Sequence, residues 1–369
     1  MMRLAVALLF LASVAGAAMV DARGDGRPVG TITAATTTTS AAGTTTTPSG
    51  ATTTTAPPTT PPPTTTAVPA NTPATTLPPA TLPRPAPPPR AATTAPVPAG
   101  DVKVLVTPTG VVVPVTGREA SGYRVTTPCG RSAVVRGGTP VTDATVVLDP
   151  GHGGVEPGAT SPGGLMEKTI NLEVVNAARA ALEGAGVHTV RTRTSDYRVT
   201  LASRAAIAQA LKPKAFVSVH HNAEPDGPRP GPGTETYYQI ASPESKRLAG
   251  LIYEEVVKAL AAYQVAWVAD TDAGAKYRTN VNGDDYYGIL RTTHGVTSAL
   301  AELAFVSNPP EADLLARPDV QQVEGQAVAR GILRFLHTSD AGSGFVEPYP
   351  RTSPAGGGGG SSNCADPPL

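Results

Sequence analysis

The chain has 369 residues with Lys+Arg 29 against Asp+Glu 29, a formal net charge of +0, and only 4% aromatic residues. This balance gives no basic field for nucleic acid or an acidic membrane surface, so neither is expected as a partner. Two cysteines, Cys129 and Cys364, exclude a disulfide scaffold.

The chain opens with Met1-Met2-Arg3, an apolar run of residues 4–12 and a small-residue exit at Ala15-Gly16-Ala17. This is the layout of a cleavable secretory signal, assigned to residues 1–22. The run is shorter than the ~20 residues that span a bilayer, so export is expected rather than a membrane anchor. The expected location is the cell envelope or the medium.

Residues 23–100 are dominated by Thr, Pro and Ala. Such a segment buries too little apolar surface to offset its ordering entropy, and it is expected to be a disordered, extended spacer. Residues 101–142 change to short Val-rich runs broken by glycines, which predicts a small all-β module that leans on its neighbour. In an oxidising compartment Cys129 and Cys364 can form one bridge, but the glycine-rich tail at residues 339–369, expected to be flexible, weighs against it.

Residues 143–338 alternate strand and helix patterns, which predicts an α/β domain with a twisted mixed sheet and helices on both faces. Strands are expected at residues 146–148, 187–193, 215–220, 234–240, 287–291 and 298–305. Helices are expected at residues 167–184, 201–211, 243–263 and 320–337, the first of them with Leu172, Val175, Ala178 and Leu182 on its buried face. Two proline-rich or irregular loops, residues 222–233 and 269–285, are placed to shape or cover a cleft.

The first strand runs into Asp149-Pro150-Gly151-His152-Gly153-Gly154. A histidine on a glycine-rich turn beyond the carboxyl end of a buried strand is where ligands of such sheets gather. A second histidine, His220, arrives in the same topological position. Two imidazoles and one carboxylate, with a position left to water, is the catalytic zinc arrangement. Glu167, opening the helix after the His152 loop, is the candidate carboxylate, and Glu173 is taken as solvated surface. His221 must face away from His220 by strand alternation, so His220, in phase with Phe216 and Ser218, is the chosen ligand. Glu302 lies in the apolar strand Ser298-Ala299-Leu300-Ala301-Glu302-Leu303. A carboxylate there needs a partner, such as an arginine, or a task, such as general base to a zinc-activated water.

Leu148-Asp149-Pro150-Gly151-His152-Gly153-Gly154, Gly164-Leu165-Met166-Glu167-Lys168, Arg191-Thr192-Arg193 with Asp196, Ser218-Val219-His220-His221-Asn222-Ala223 and Glu302-Leu303-Ala304-Phe305-Val306-Ser307-Asn308-Pro309 resemble, in order and spacing, the zinc-dependent N-acetylmuramoyl-L-alanine amidases with a type-3 catalytic domain. The resemblance implies one zinc ion on His152, Glu167 and His220, and Glu302 as catalytic base. It implies cleavage of the amide between the lactyl group of N-acetylmuramic acid and L-alanine, in peptidoglycan or a muropeptide. Asn222 and Arg291 fall where the family keeps polar residues near its cleft, which implies substrate contact. His221 and Ala304 depart from the family pattern, which usually has a small residue and a glycine there. A monomer is expected. The alternatives are a non-catalytic peptidoglycan-binding or regulatory protein on the same scaffold and a zinc peptidase acting on the stem peptide.

Overall fold

The computed structural model describes residues 101–348 and 363–369. The expected signal segment and Thr/Pro-rich spacer lie outside the described residues.

Five strands come first: β1 (Val104–Val106), β2 (Val112–Glu119), β3 (Gly122–Thr126), β4 (Ser132–Val135) and β5 (Thr139–Val141). They form an antiparallel sheet in the order β4-β3-β2-β1-β5. Leu105, Val113 and Val125 of this sheet share one apolar cluster with Tyr197 and Val199. Val104 and Val112 share another with Val147 and Ile207. The backbone N–H of Thr200 donates to Pro128 O at 2.9 Å, and Ser203 Oγ to Thr127 O at 3.0 Å. So small a sheet lacks a core of its own, and it builds one with the residues that follow.

The remaining chain runs β6 (Val146–Pro150), α1 (Glu167–Gly184), β7 (Thr189–Arg191), α2 (Leu201–Leu211), β8 (Ala215–Asn222), β9 (Gly227–Pro228), β10 (Glu235–Tyr238), α3 (Pro243–Leu260), β11 (Val268–Ala269), β12 (Ala275–Lys276), α4 (Gly288–Thr292), β13 (Ser298–Phe305), α5 (Pro309–Leu315) and α6 (Pro318–His337). Six strands form a mixed sheet in the order β12-β10-β13-β8-β6-β7, with β10 antiparallel to β13 and the other pairs parallel.

Alternation along the strands decides what lies on each face. Val217, Val219, Ala301 and Leu303 pack with α1, α3 and α6. Phe216 and Leu300 pack on the opposite side with Ile207 and Ala208 of α2 and Ile289 and Leu290 of α4. Helix α6 comes close to α1 because Gly325 has no side chain: a Cβ there would lie 2.4 Å from Val174 O. Among the described residues no helix is long and apolar enough to cross a membrane.

Several expectations need correction. Residues 287–291 read as a strand from Tyr287, Ile289 and Leu290, but Gly288–Thr292 is the short helix α4, whose apolar pair faces the core at helical spacing. The buried face of α1 contains Ile170 and Val174, while Leu172 is only half-buried. Helix α5 was not anticipated, since two prolines occupy its first turn, where a missing N–H costs nothing. The short ribbon β9–β11 joins the two loops expected beside the cleft.

Of the tail expected to be flexible, residues 349–362 lie outside the described residues, while residues 339–348 and 363–369 are held against the fold. Cys129 and Cys364 are bonded, and Cys364 is buried. Asp366 accepts from Cys129 N and from Arg131 at 2.8 Å each, so charge complementarity holds the segment that composition left free. Residues 344–346 add to the open edge at β12, with Ala275 N donating to Gly344 O and Val346 N to Ala275 O.

Candidate metal centre

Strand β6 delivers its last residues into a turn held by two buried arginines. Arg204 donates to Pro150 O at 2.9 Å and to His152 O at 2.7 Å, and Arg193 donates to Pro150 O at 3.0 Å and Gly151 O at 2.9 Å. Burial, then the neighbouring Arg204, push the Arg193 guanidinium down to about 10. Asp149, inside the same strand, supplies counter-charge: it pairs with Arg204 at 2.5 Å and accepts from Ser218 Oγ at 2.7 Å. These fixed carbonyls hold His152 with φ 56°, a left-handed conformation uncommon for a residue with a Cβ.

Three side chains converge beyond this turn. One donor atom each from His152, Glu167 and His220 lies within 4.8 Å of the others. His152 Nε2 is 3.2 Å from Glu167 Oε2, and His220 Nδ1 is 2.9 Å from Glu167 Oε1. The two imidazole rings are 5.0 Å apart at 81°. Glu167 is fully buried at the start of α1, where its Oε2 accepts from Ala159 N at 2.8 Å and its Oε1 from His221 N at 3.2 Å and Asn171 Nδ2 at 3.1 Å. Burial works against the charge on Glu167, but His152 and His220 outweigh it and hold the carboxyl well below its ordinary range. Burial pushes His220 below the usual imidazole value, against the pull of Glu167. A carboxylate and a deprotonated imidazole are the forms in which these groups bind metal.

The residues fit a zinc ion on three grounds. The donor set is two imidazoles and a carboxylate. His152 Nε2 is buried and faces Glu167 Oε2 without hydrogen-bond geometry. The space around the donors is kept open by glycines: a Cβ on Gly158 would lie 2.3 Å from Glu167 Oε2, and one on Gly151 2.1 Å from His220 Cε1.

Glu302 is buried on β13, where its Cα partners are His220 on β8 and Glu235 on β10. The three side chains therefore share one face of the sheet. Glu235 bonds Lys276 Nζ at 2.8 Å, and Lys276 Nζ also bonds Asp272 at 2.6 Å. Glu235, Asp270 and Asp272 are a second acidic group among the described residues, with the Lys276 ammonium between two of its members.

The two residues expected to contact substrate, Asn222 and Arg291, both make hydrogen bonds within the protein. Asn222 is fully buried, donating to Glu235 Oε2 at 2.9 Å and accepting from Ala223 N at 2.8 Å, so its amide serves the sheet. Arg291 donates to the carbonyls of Asp285 and Tyr286 at 2.6 and 2.8 Å, and it closes the loop before α4 instead of pairing with a carboxylate there. His221 faces the α1 and α6 side and is fully buried, and Glu173 is exposed. Sequence reasoning missed Asp149, Arg204, Asn171, Glu235 and Glu324. Asp149 carried the signal used for Glu302, a charge inside an apolar strand.

Fold and site together define the class: an α/β domain with a histidine–glutamate–histidine centre at the carboxyl ends of adjacent parallel strands. A profile of the family described as N-acetylmuramoyl-L-alanine amidase matches residues 146–334. The chain is 35% identical over 207 residues to the uncharacterised protein YqiI of Bacillus subtilis, covering 56% of this chain and 88% of that protein. It is 28% identical to the N-acetylmuramoyl-L-alanine amidase AmiC of Neisseria meningitidis serogroup B over 53% of each chain, so it spans about half of that relative. Among solved structures, the amidase AmiC2 of Nostoc punctiforme is similar, with 31% identity, a TM-score of 0.43 and coverage of 52% of this chain and 96% of that one. The chain belongs to the N-acetylmuramoyl-L-alanine amidase family, and it is a peptidoglycan amide hydrolase.

Proposed function

We propose that the chain is an exported zinc amidase that cleaves the bond between the lactyl carbonyl of N-acetylmuramic acid and L-alanine. What supports this most is the convergence of His152, Glu167 and His220, with Glu302 next to His220 in register. Zinc on the three side chains would supply a Lewis acid and lower the pKa of water towards neutrality.

Glu302 accepts the proton of the attacking water and passes it to the departing L-alanine nitrogen. Its apolar strand excludes bulk water and strengthens each electrostatic contact made there. Glu167 is held by three N–H donors, and His152 and His220 present ring nitrogens beside it. Arg291, half-buried on α4, remains a candidate for substrate contact from its side of the cleft.

Export fits the basic start and small-residue exit of residues 1–22, and the Cys129–Cys364 bond fits an oxidising compartment. Residues 23–100 would then act as a spacer ahead of the folded part, which acts on its substrate as a monomer.

Product analysis tests the reading. Digestion of purified peptidoglycan and of soluble muropeptide, followed by mass analysis, is expected to release intact stem peptides beginning with L-alanine. A new amino terminus inside the stem points instead to a peptidase, and binding without cleavage to a non-catalytic wall protein.

A further inference from the structure

Behind Glu167, on the sheet face opposite Glu302, lies a line of buried polar groups. Asn171 stands one turn after Glu167 on α1 and donates to Glu167 Oε1 at 3.1 Å. With its Nδ2 so committed, Asn171 Oδ1 accepts from His221 Nδ1 at 2.8 Å, which orients the ring and turns its other nitrogen towards α6. His221 also donates its backbone N–H to Glu167 Oε1 at 3.2 Å. On its far side, His221 Nε2 is 3.4 Å from Glu324 Oε1, contributed by α6. Asn171, His221 and Glu324 are all fully buried.

A merely structural role accounts poorly for this line. Glu324 Oε2 has no hydrogen-bond partner among the described residues, and a buried, half-satisfied carboxyl group is less favourable than an apolar side chain of similar volume. Yet Glu324 is brought to His221 by a close helix contact, the approach of α6 to α1 at Gly325. Glu311, also buried, interacts electrostatically with His221 but is committed to Phe305 N at 2.8 Å and Val268 N at 2.9 Å, so Glu324 is the partner left for the ring.

We propose that Asn171, His221 and Glu324 are positioning residues that orient Glu167 for the metal, coupling the docking of helix α6 to metal affinity. The proposal rests on Glu167 being a metal ligand. Groups that orient a ligand from behind typically change metal affinity 10–100-fold when removed. Because Glu324 reaches Glu167 only through His221 and Asn171, the effects of changing Glu324 and His221 should not add.

The test uses the full chain and its variants Glu324→Gln, His221→Leu and the double substitution. Zinc dissociation constants are measured by competition with a chromogenic chelator, and the absorption spectrum of the cobalt-substituted protein serves as a second reading. Glu324→Gln keeps the shape of the side chain, so it remains informative where His221→Leu does not fold. Each single substitution is expected to raise the dissociation constant about 10–100-fold and to shift the cobalt spectrum, with the double no weaker than the worse single. A lowered melting temperature with unchanged zinc affinity and an unchanged cobalt spectrum overturns the proposal. Wild-type protein that binds no zinc contradicts the metal reading itself, and that result is visible before any variant is compared.

Discussion

His220 and Glu302 stand directly opposite each other on the parallel strands β8 and β13. Strand alternation turns both side chains to the same face, so a histidine of the candidate metal centre and a buried carboxyl are neighbours by register alone. Neither position tolerates a slip of one residue, because the whole set would move to the opposite face.

The first prediction follows from that pairing. Glu302→Gln keeps the side-chain volume while removing the proton acceptor, so turnover should fall about 10²–10⁴-fold. Zinc content, read by atomic emission on the same sample, should match the parent protein. Activity within a few-fold of the parent means that another group is the base.

Gly158 lies at φ 71° against the centre, where a Cβ would sit 2.3 Å from Glu167 Oε2 and 2.5 Å from His152 Cδ2. Gly158→Ala should therefore displace one ligand and weaken zinc binding by at least about 10-fold, with smaller loss of overall stability. Titration with zinc against a competing chelator measures this directly, and unchanged affinity means that the loop yields without moving Glu167 or His152.

A third expectation concerns pH. Burial alone would raise the Asp149 carboxyl, but Arg204, Thr192 and Ser218 outweigh it and hold the group below its ordinary value. A depressed folded-state pKa adds stability that is present above the unfolded value of about 3.9 and is lost as pH falls through the folded value. Asp149→Asn should cost roughly 3–5 kcal/mol at pH 7, because Arg204 is left buried and unpaired. That difference from the parent should narrow below about pH 4. Denaturant melts at pH 7 and pH 3 provide the comparison, and a gap that does not narrow on acidification rules out this linkage.

The tail gives a fourth. Reduction, or Cys364→Ser, frees the C-terminal segment from the β-module across a sequence separation of 235 residues and should cost about 2–5 kcal/mol. Calorimetry with and without reductant reads it. Asp366→Ala should produce a smaller loss, since the contacts to the Cys364 and Pro368 carbonyls and the bond remain. A melting temperature indifferent to reductant means that the bond adds nothing to stability beyond the contacts of Asp366 and the tail backbone.

Much of this was legible in the sequence. His152, His220 and Glu302 announced themselves because each interrupts or closes an apolar strand, a place where polar groups are costly. Choosing His220 over His221 needed only the period of two, since Phe216, Ser218 and His220 share a face. The helix at residues 288–292 was not legible, because two apolar residues beside tyrosines satisfy the strand and helix periods equally over so short a run. The tail was misread for a different reason. Its composition carries no sign of the anchoring, which depends on three separate groups, Phe345, Cys364 and Asp366, whose partners lie far away in sequence. The line from Glu324 to Glu167 was hidden likewise, since it joins α6, β8 and α1 through contacts that no local pattern encodes.

The central claim, metal-dependent cleavage of the muramoyl–alanine amide through His152, Glu167 and His220, is tested most directly by removing and restoring the metal. Peptidoglycan hydrolysis is followed for the full chain as purified, after dialysis against chelator, and after one equivalent of zinc is returned, with His152→Ala alongside. Activity should vanish with the metal and return with zinc in the parent chain, releasing stem peptides that begin with L-alanine, while His152→Ala stays inactive at one equivalent. Undiminished hydrolysis by metal-free protein, or by His152→Ala, would contradict it.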